Sequence, residues 1–291
     1  MLHSSNIQAK TLNVITTIPD LAAITKEIGG DKINVSALSS SHEDPHYVDP
    51  RPSLILALNQ ADLLIVNGLE LEIGWLPPLQ TGARNGNIQV GGNGYLDVSS
   101  YVKLLEIPTT KIDRTMGDIH PGGSPHFLLD PNKMVNVARA ICDKLIQLDL
   151  PNRDYYLSQT ETITKKLTEI ATKWRQKFNQ LPAEKRHIVS YHKSMAYLFY
   201  WLQLKEITTV EPKPGVNPSP KHVAKVLLLI KKTKTKAIIQ EEFYPQKITN
   251  VLSKLAKIKL ITIQGGTRFK QNQNYYNHIE KIAMELYNAI N

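Results

Sequence analysis

Residues 154–179 constrain the fold more than any other stretch. They carry Tyr156, Ile163, Leu167, Ile170, Trp174 and Phe178, at successive separations of seven, four, three, four and four. Apolar side chains at that spacing share one face of an α-helix. At 1.5 Å of rise per residue the helix would run roughly 39 Å, enough to span a small molecule as a stiff strut.

On both sides of this strut the pattern alternates between strand and helix. Before it, 12–17 reads as a strand, 20–28 as a helix stopped by Gly29-Gly30, 33–38 as a strand, 52–59 as a helix and 62–66 as a buried strand ending at Asn67-Gly68. Residues 130–148 form a further helix with Met134, Val137, Ala138, Ile141, Leu145 and Leu148 on one side. After Leu181-Pro182 come strand 186–191, helix 194–204, strand 206–210, helix 219–232, strand 236–240, helix 247–256, strand 259–264 and helix 274–290. Ser219-Pro220 is an N-cap and first-turn pair. Alternation of this kind implies mainly parallel sheets covered by helices on both faces. The expected architecture is α/β: an N-terminal lobe (11–150), a linking helix (151–181) and a C-terminal lobe (182–291).

Composition excludes several alternatives. A chain of 291 residues suggests about two domains and buries a large core without staples. The single Cys, at 142 in a helix stripe, rules out an intrachain disulfide and a cysteine zinc cluster. No run approaches the ~18 apolar residues of a membrane span. The first residues, MLHSSNIQAKTLNV, lack the apolar core of a signal peptide, as expected of a cytosolic protein or a mature secreted form. Net charge is +9, with 35 Lys and Arg against 26 Asp and Glu. The densest basic run, 221–236, reads as an amphipathic helix with a solvated lysine face, and no base-reading motif accompanies it, so nucleic acid is not an expected partner. There is no nucleophile elbow, no P-loop and no dinucleotide fingerprint.

Histidines carry the chemistry. Four lie in loops rich in Pro or Gly with acids nearby: His42 and His46 in SHEDPHYVDP, His120 and His126 in GDIHPGGSPHFLLDP. Ligands of open α/β sheets bind outside the carboxyl ends of the strands. His46 follows the second strand, His192 follows strand 186–191, Glu241 and Glu242 follow strand 236–240, and His126 precedes the helix near Asp130. If the carboxyl edges of both lobes face one cleft, three imidazoles and a carboxylate converge there, a donor set that suits tetrahedral Zn²⁺. The bland alternatives are a strand-end histidine bonded to a carbonyl and acids placed at a helix N-terminus. His3, His187, His222 and His278 read as structural or surface residues.

These motifs resemble those of the metal-binding solute receptors of bacterial ABC transporters for zinc and manganese, in particular the zinc-uptake group. DPHYVDPRPS at 44–53, GDIHPGGSPHFLLDP at 117–131, and VSYHKSMAYL at 189–198 followed by EPKPGVNPSP look like that family's ligand loops, and the likeness spans the chain. Ser124 stands where the family normally has Asn. The resemblance implies a two-lobed fold joined by a long rigid helix. It makes His46, His126 and His192 metal ligands in the interlobe cleft. A third His leans toward Zn²⁺ over Mn²⁺. The family's usual fourth ligand, an Asp after the last strand, is missing from ITIQGGTRFK, where Gln264 and Gly265 stand. Glu241 is the first choice to replace it, with His120 or water as the fallback. The implied protein is a monomeric periplasmic receptor, free of a lipid anchor because no lipobox Cys is present. It would hand metal to a membrane permease and catalyse nothing. The rivals are a zinc-dependent hydrolase with three His and an adhesin that uses the fold without transport.

Overall fold

The computed structural model describes residues 11–109 and 120–291. His3 lies outside the described residues, as do 117–119 of the second histidine motif. Two four-stranded sheets, parallel throughout, organise the chain. The first has the order β2-β1-β3-β4, from β1 (Leu12–Thr16), β2 (Ile33–Ala37), β3 (Leu63–Val66) and β4 (Tyr95–Asp97). The second has the order β6-β5-β7-β8, from β5 (His187–Ser190), β6 (Lys205–Thr209), β7 (Ala237–Glu241) and β8 (Lys259–Ile263). In each sheet the central strands β3 and β7 are buried at every residue, because helices cover both faces.

The helices are α1 (Pro19–Gly29), α2 (Pro52–Asn59), α3 (Leu76–Ala83), α4 (Pro131–Leu148), α5 (Arg153–Asn179), α6 (Ala196–Leu202), α7 (Pro220–Thr233), α8 (Lys247–Ala256) and α9 (Tyr275–Ile290). Several open with proline in the first turn, where a missing N–H costs nothing. Ser219 caps α7 as its sequence implies, its hydroxyl accepting from the His222 amide.

The strut is α5, 27 residues long. All six residues of its apolar stripe are buried. It packs against α1, α4, α6 and α9, and so touches both lobes. One continuous core holds Val14 and Leu63 of the first lobe, Leu167 and Phe178 of α5, and Ile188 and Ile239 of the second. Gly30 ends α1 at φ +52°, a conformation that favours glycine. A Cβ there would also meet the Tyr155 hydroxyl at 2.0 Å, so glycine lets α1 lie against α5.

Two elements escape the sequence reading. β4 is three residues long, too short to show a period, and α3 opens on Leu-Pro-Pro, which reads as a breaker. The α6 helix is shorter than the expected 194–204, because a turn occupies the chain through Ser194 and the helix ends at Leu202. Glu241 is the last residue of β7 instead of the first residue after it. On α7, Val226 and Ile230 face the core while Leu228 is exposed. Cys142 is buried and simply fills space. Among the described residues no helix is long and apolar enough to cross a membrane.

The shared core makes α5 a sensitive place to cut. Leu167 is fully buried within it. Leu167→Ala is expected to destabilise the protein by about 2–5 kcal/mol. Denaturant unfolding monitored by tryptophan fluorescence measures this, and a cost close to zero would mean that α5 lies outside the core.

Candidate metal centre

His46 sits in the loop that leaves β2. The peptides after β2 continue the sheet pairing, Leu38 N–H bonding to the Thr16 carbonyl and Ser39 N–H to that of Thr17. Asp44 then shapes the loop. One of its oxygens accepts from the backbone amide of His46 at 3.0 Å and from the ring Nδ1 at 2.7 Å. A carboxylate on Nδ1 selects the tautomer with a bare Nε2, the atom a metal needs. Burial opposes ionisation of Asp44, but the bonds and charge of His46 outweigh it and hold the carboxyl below its usual range.

His192 repeats the device in the second lobe. It follows β5, and its Nδ1 lies 2.7 Å from a carboxylate oxygen of Glu211, two residues beyond β6. Tyr244 stacks on its ring at 5.4 Å between centroids. Burial pushes the His192 pKa down, but Glu211, Glu241 and Asp44 outweigh it and leave it above the ordinary value. His126 precedes the short turn that leads into α4. It is held neutral, well below the usual histidine range, by burial first and by the surrounding His46, His192 and His120 second.

These rings are neighbours across the two lobes. The His46 centroid is 5.3 Å from that of His126 and 6.0 Å from that of His192, and His126 and His192 are 6.0 Å apart. His120 joins them, its Nε2 3.2 Å from Nε2 of His46. That separation resembles the ~3.3 Å edge of a tetrahedron built with Zn–N of about 2.0–2.1 Å. Among the described residues no three donors are yet drawn together closely enough to hold an ion.

Glu241 borders the same cavity of about 60 Å³ as His46 and His126. One of its oxygens accepts from the Ser194 hydroxyl at 2.5 Å, and the other is buried with no partner. Burial raises its pKa, against the pull of Ser194 and His192. His120 stands on the opposite flank, in a wider opening of about 370 Å³ that also borders His126 and His192. Glu242 is elsewhere, paired with Arg268 at 3.0 Å and His42 at 3.1 Å. The other histidines have structural partners: His187 and His222 approach backbone carbonyls, and buried His278 approaches Gln264.

The stretch after β8, where the resemblance implies an Asp, is closely packed. A Cβ on Gly265 would lie 2.3 Å from the Phe243 ring and 2.8 Å from the Ser41 carbonyl. The Gln264 side chain is engaged with Gln273 and His278.

Sequence reasoning missed the residues that hold these histidines. Asp44 and Glu211 were visible as acids inside the quoted motifs, yet nothing in their spacing assigned them to histidine rings. The turn after β3 was read only as a stop. There Glu72, buried, accepts from the Thr17 hydroxyl at 2.6 Å and from the amides of Asn67 at 2.8 Å and Gly68 at 3.2 Å. Leu69 and Glu70 follow at φ +55° and +62°, strained values that these bonds help to maintain.

Two parallel sheets on one strut, with imidazoles from both lobes around a shared centre and carboxylates behind them, define a two-lobed receptor for a metal ion. Residues 14–289 match the family described as zinc-uptake complex component A, periplasmic, and the chain belongs to that family. It is therefore the metal-binding receptor of an ABC transporter and not an enzyme, which removes the hydrolase reading. The manganese ABC transporter substrate-binding lipoprotein PsaA of Streptococcus pneumoniae is 28% identical over 292 residues, covering 96% of this chain and 90% of that protein. A crystal structure of ZnuA superposes with TM-score 0.81 at 21% identity, covering 97% of this chain and all of that one. The laminin-binding protein Lmb of Streptococcus agalactiae, described as a bifunctional protein with adhesin and metal-transporting activity, superposes at 0.78 with 21% identity, over 96% of this chain and all of that one. At those identities the two structures speak for the fold.

Glu72 gives the first lobe a pH signature. Burial pushes its carboxyl up to about 7 from the ordinary 4.5, despite its three donors. An acid with a raised folded-state pKa binds its proton more tightly folded than unfolded. Its contribution to stability is therefore full below pH 4.5 and is lost as pH rises through about 7. The loss is expected to be on the order of 3 kcal/mol. Denaturant unfolding across this range should show a shallower fall for Glu72→Gln than for wild type, and equal slopes would overturn the assignment.

Proposed function

We propose that this receptor captures Zn²⁺ in the interlobe cleft and delivers it to a membrane permease, with His46, His126, His192 and Glu241 as ligands. The observation that carries the reading is the pair of carboxylate–histidine contacts at 2.7 Å, one in each lobe, which favour the tautomer with an unprotonated Nε2 on His46 and on His192. His126, kept neutral, supplies the third imidazole. Glu241 supplies a negative charge and a buried oxygen without a partner. Coordination requires these donors to draw closer than they stand, with the three ring centroids 5.3–6.0 Å apart.

Three imidazoles favour zinc over the harder manganese ion, although the pneumococcal relative is named for manganese. His120 is the rival fourth donor, on the strength of its 3.2 Å approach to His46. The family description supports a periplasmic setting and a permease partner. We take the working form to be a monomer, since both halves of the proposed site come from one chain. Adhesion is a second reading that rests on the likeness to Lmb alone.

Calorimetry on chelator-stripped protein tests the assignment. Zn²⁺ should bind one to one and more tightly than Mn²⁺, and at a thousandfold excess over Kd it should add about 4 kcal/mol to stability. His192→Ala should weaken zinc binding by more than the 10–100-fold typical of disturbing an outer partner of a ligand. Glu241→Gln should do the same while His120→Ala leaves affinity nearly intact; the reverse result would move the fourth position to His120. Unchanged affinity in His192→Ala would sink the site.

A further inference from the structure

The two histidines that the first lobe contributes are each preceded by proline, Pro45 before His46 and Pro125 before His126. The loops that carry them are far apart in sequence. Both proline carbonyls are nevertheless gripped by the same short segment, residues 67–75 after β3. The side-chain amide of Asn67 donates to the Pro125 carbonyl at 3.0 Å. The indole N–H of Trp75 donates to the Pro45 carbonyl at 2.9 Å.

We propose that residues 67–75 form a clamp in which Asn67 and Trp75 are positioning residues for metal capture, fixing His46 and His126 relative to one another. This rests on the reading of those histidines as ligands. The physical argument is the planarity of the peptide unit. The carbonyl oxygen of a proline and the amide nitrogen of the next residue lie in one rigid plane. A bond to the carbonyl therefore sets the direction in which the ligand's own backbone departs. Proline adds a fixed φ and no competing N–H. The grip acts on each histidine at its first rotatable bond.

The clamp is itself tied to the sheet. Glu72 accepts from Thr17 at the end of β1 and from the backbone of Asn67 and Gly68. Trp75 is buried in the core between α2, α3 and the first sheet. Asn67 is buried as well. The donors are thus anchored, and the ligand loops hang from them. Asp44 and Glu211 choose which ring nitrogen is bare; Asn67 and Trp75 choose where two of the rings stand.

The test uses the full chain, stripped of metal, carrying Asn67→Ala, Trp75→Phe or both, beside wild type and His126→Ala. Trp75→Phe keeps most of the buried ring and removes the donor, so it covers the case in which Asn67→Ala folds poorly. Zn²⁺ affinity is read by competition titration, site geometry by the visible spectrum of the Co²⁺-loaded protein, and folding by the melting of the metal-free form. Each single variant is expected to weaken Zn²⁺ binding by about 10–100-fold. The four-coordinate cobalt bands should lose intensity, and metal-free melting should stay close to wild type. Wild-type affinity and spectrum in the double variant would overturn the clamp. So would weakened binding with an unaltered cobalt spectrum and a matching drop in metal-free melting, the mark of a purely structural role. His126→Ala separates the two levels: if it alone collapses binding, only the clamp falls, and if it too binds zinc normally, the ligand reading falls with it.

Discussion

An imidazole is a metal donor only while one ring nitrogen is bare and the ring is held still. The cleft of this protein is arranged around that requirement. Asp44 and Glu211 each accept a hydrogen bond from a histidine Nδ1 at 2.7 Å, and the two acids come from opposite lobes. Without them the histidines would interconvert between tautomers and rotamers, and the entropy of fixing them would fall on the binding step. The carboxylates also bear on charge. In the proposed site three neutral imidazoles would offer a divalent ion no compensation, whereas the acids Asp44, Glu211 and Glu241 stand beside them, the last two buried.

Such an arrangement works only if the lobes keep a fixed separation, which the core around α5 provides. Polar ties reinforce it at the seam. Asp20 at the start of α1 accepts from the amide and hydroxyl of Thr267 in the second lobe, the amide at 2.8 Å. Tyr275 of α9 donates to the Leu128 carbonyl, two residues past His126, at 2.6 Å. Tyr197 of α6 donates to the Ser124 carbonyl and accepts from the Leu105 amide at 2.9 Å. The second lobe thus holds the His126 loop from both sides. A wide clamshell opening would break these bonds and divide an apolar core, so exchange of metal falls to the loops and side chains around the cleft.

The fold was legible because its signals are local and periodic. The α5 stripe is one helix face, and strands such as Leu63–Val66 are unbroken apolar runs bounded by turns. β4 and α3 were not legible: one is held by pairing with β3 alone, the other begins on residues that usually end a helix. At the site, the histidines could be ranked by their position after strands and by family likeness. Their supports could not. Asn67 and Trp75 reach Pro125 and Pro45 through backbone carbonyls, which leave no trace in residue type or spacing, and Glu72 meets the Thr17 hydroxyl across a gap of 55 positions. The missing Asp was visible, but the close packing of the Phe243 ring against Gly265 is a fact that only three dimensions contain.

That substitution has a consequence for the coordination shell. A side chain at position 265 would have to displace the Phe243 ring or the Ser41 carbonyl, so in the proposed site a fourth protein donor comes more readily from another element. The two candidates differ in kind. Glu241 belongs to the central strand of the second sheet, is anchored by Ser194 and is buried. His120 belongs to a loop and faces the wider opening. A donor fixed on a sheet strand needs little ordering when metal arrives, and the attraction between its charge and a divalent ion is strongest where water is excluded. A loop donor gives up more conformational freedom and supplies no charge. The same asymmetry that favours Glu241 for holding the ion leaves His120 on the side from which solvent reaches the cleft.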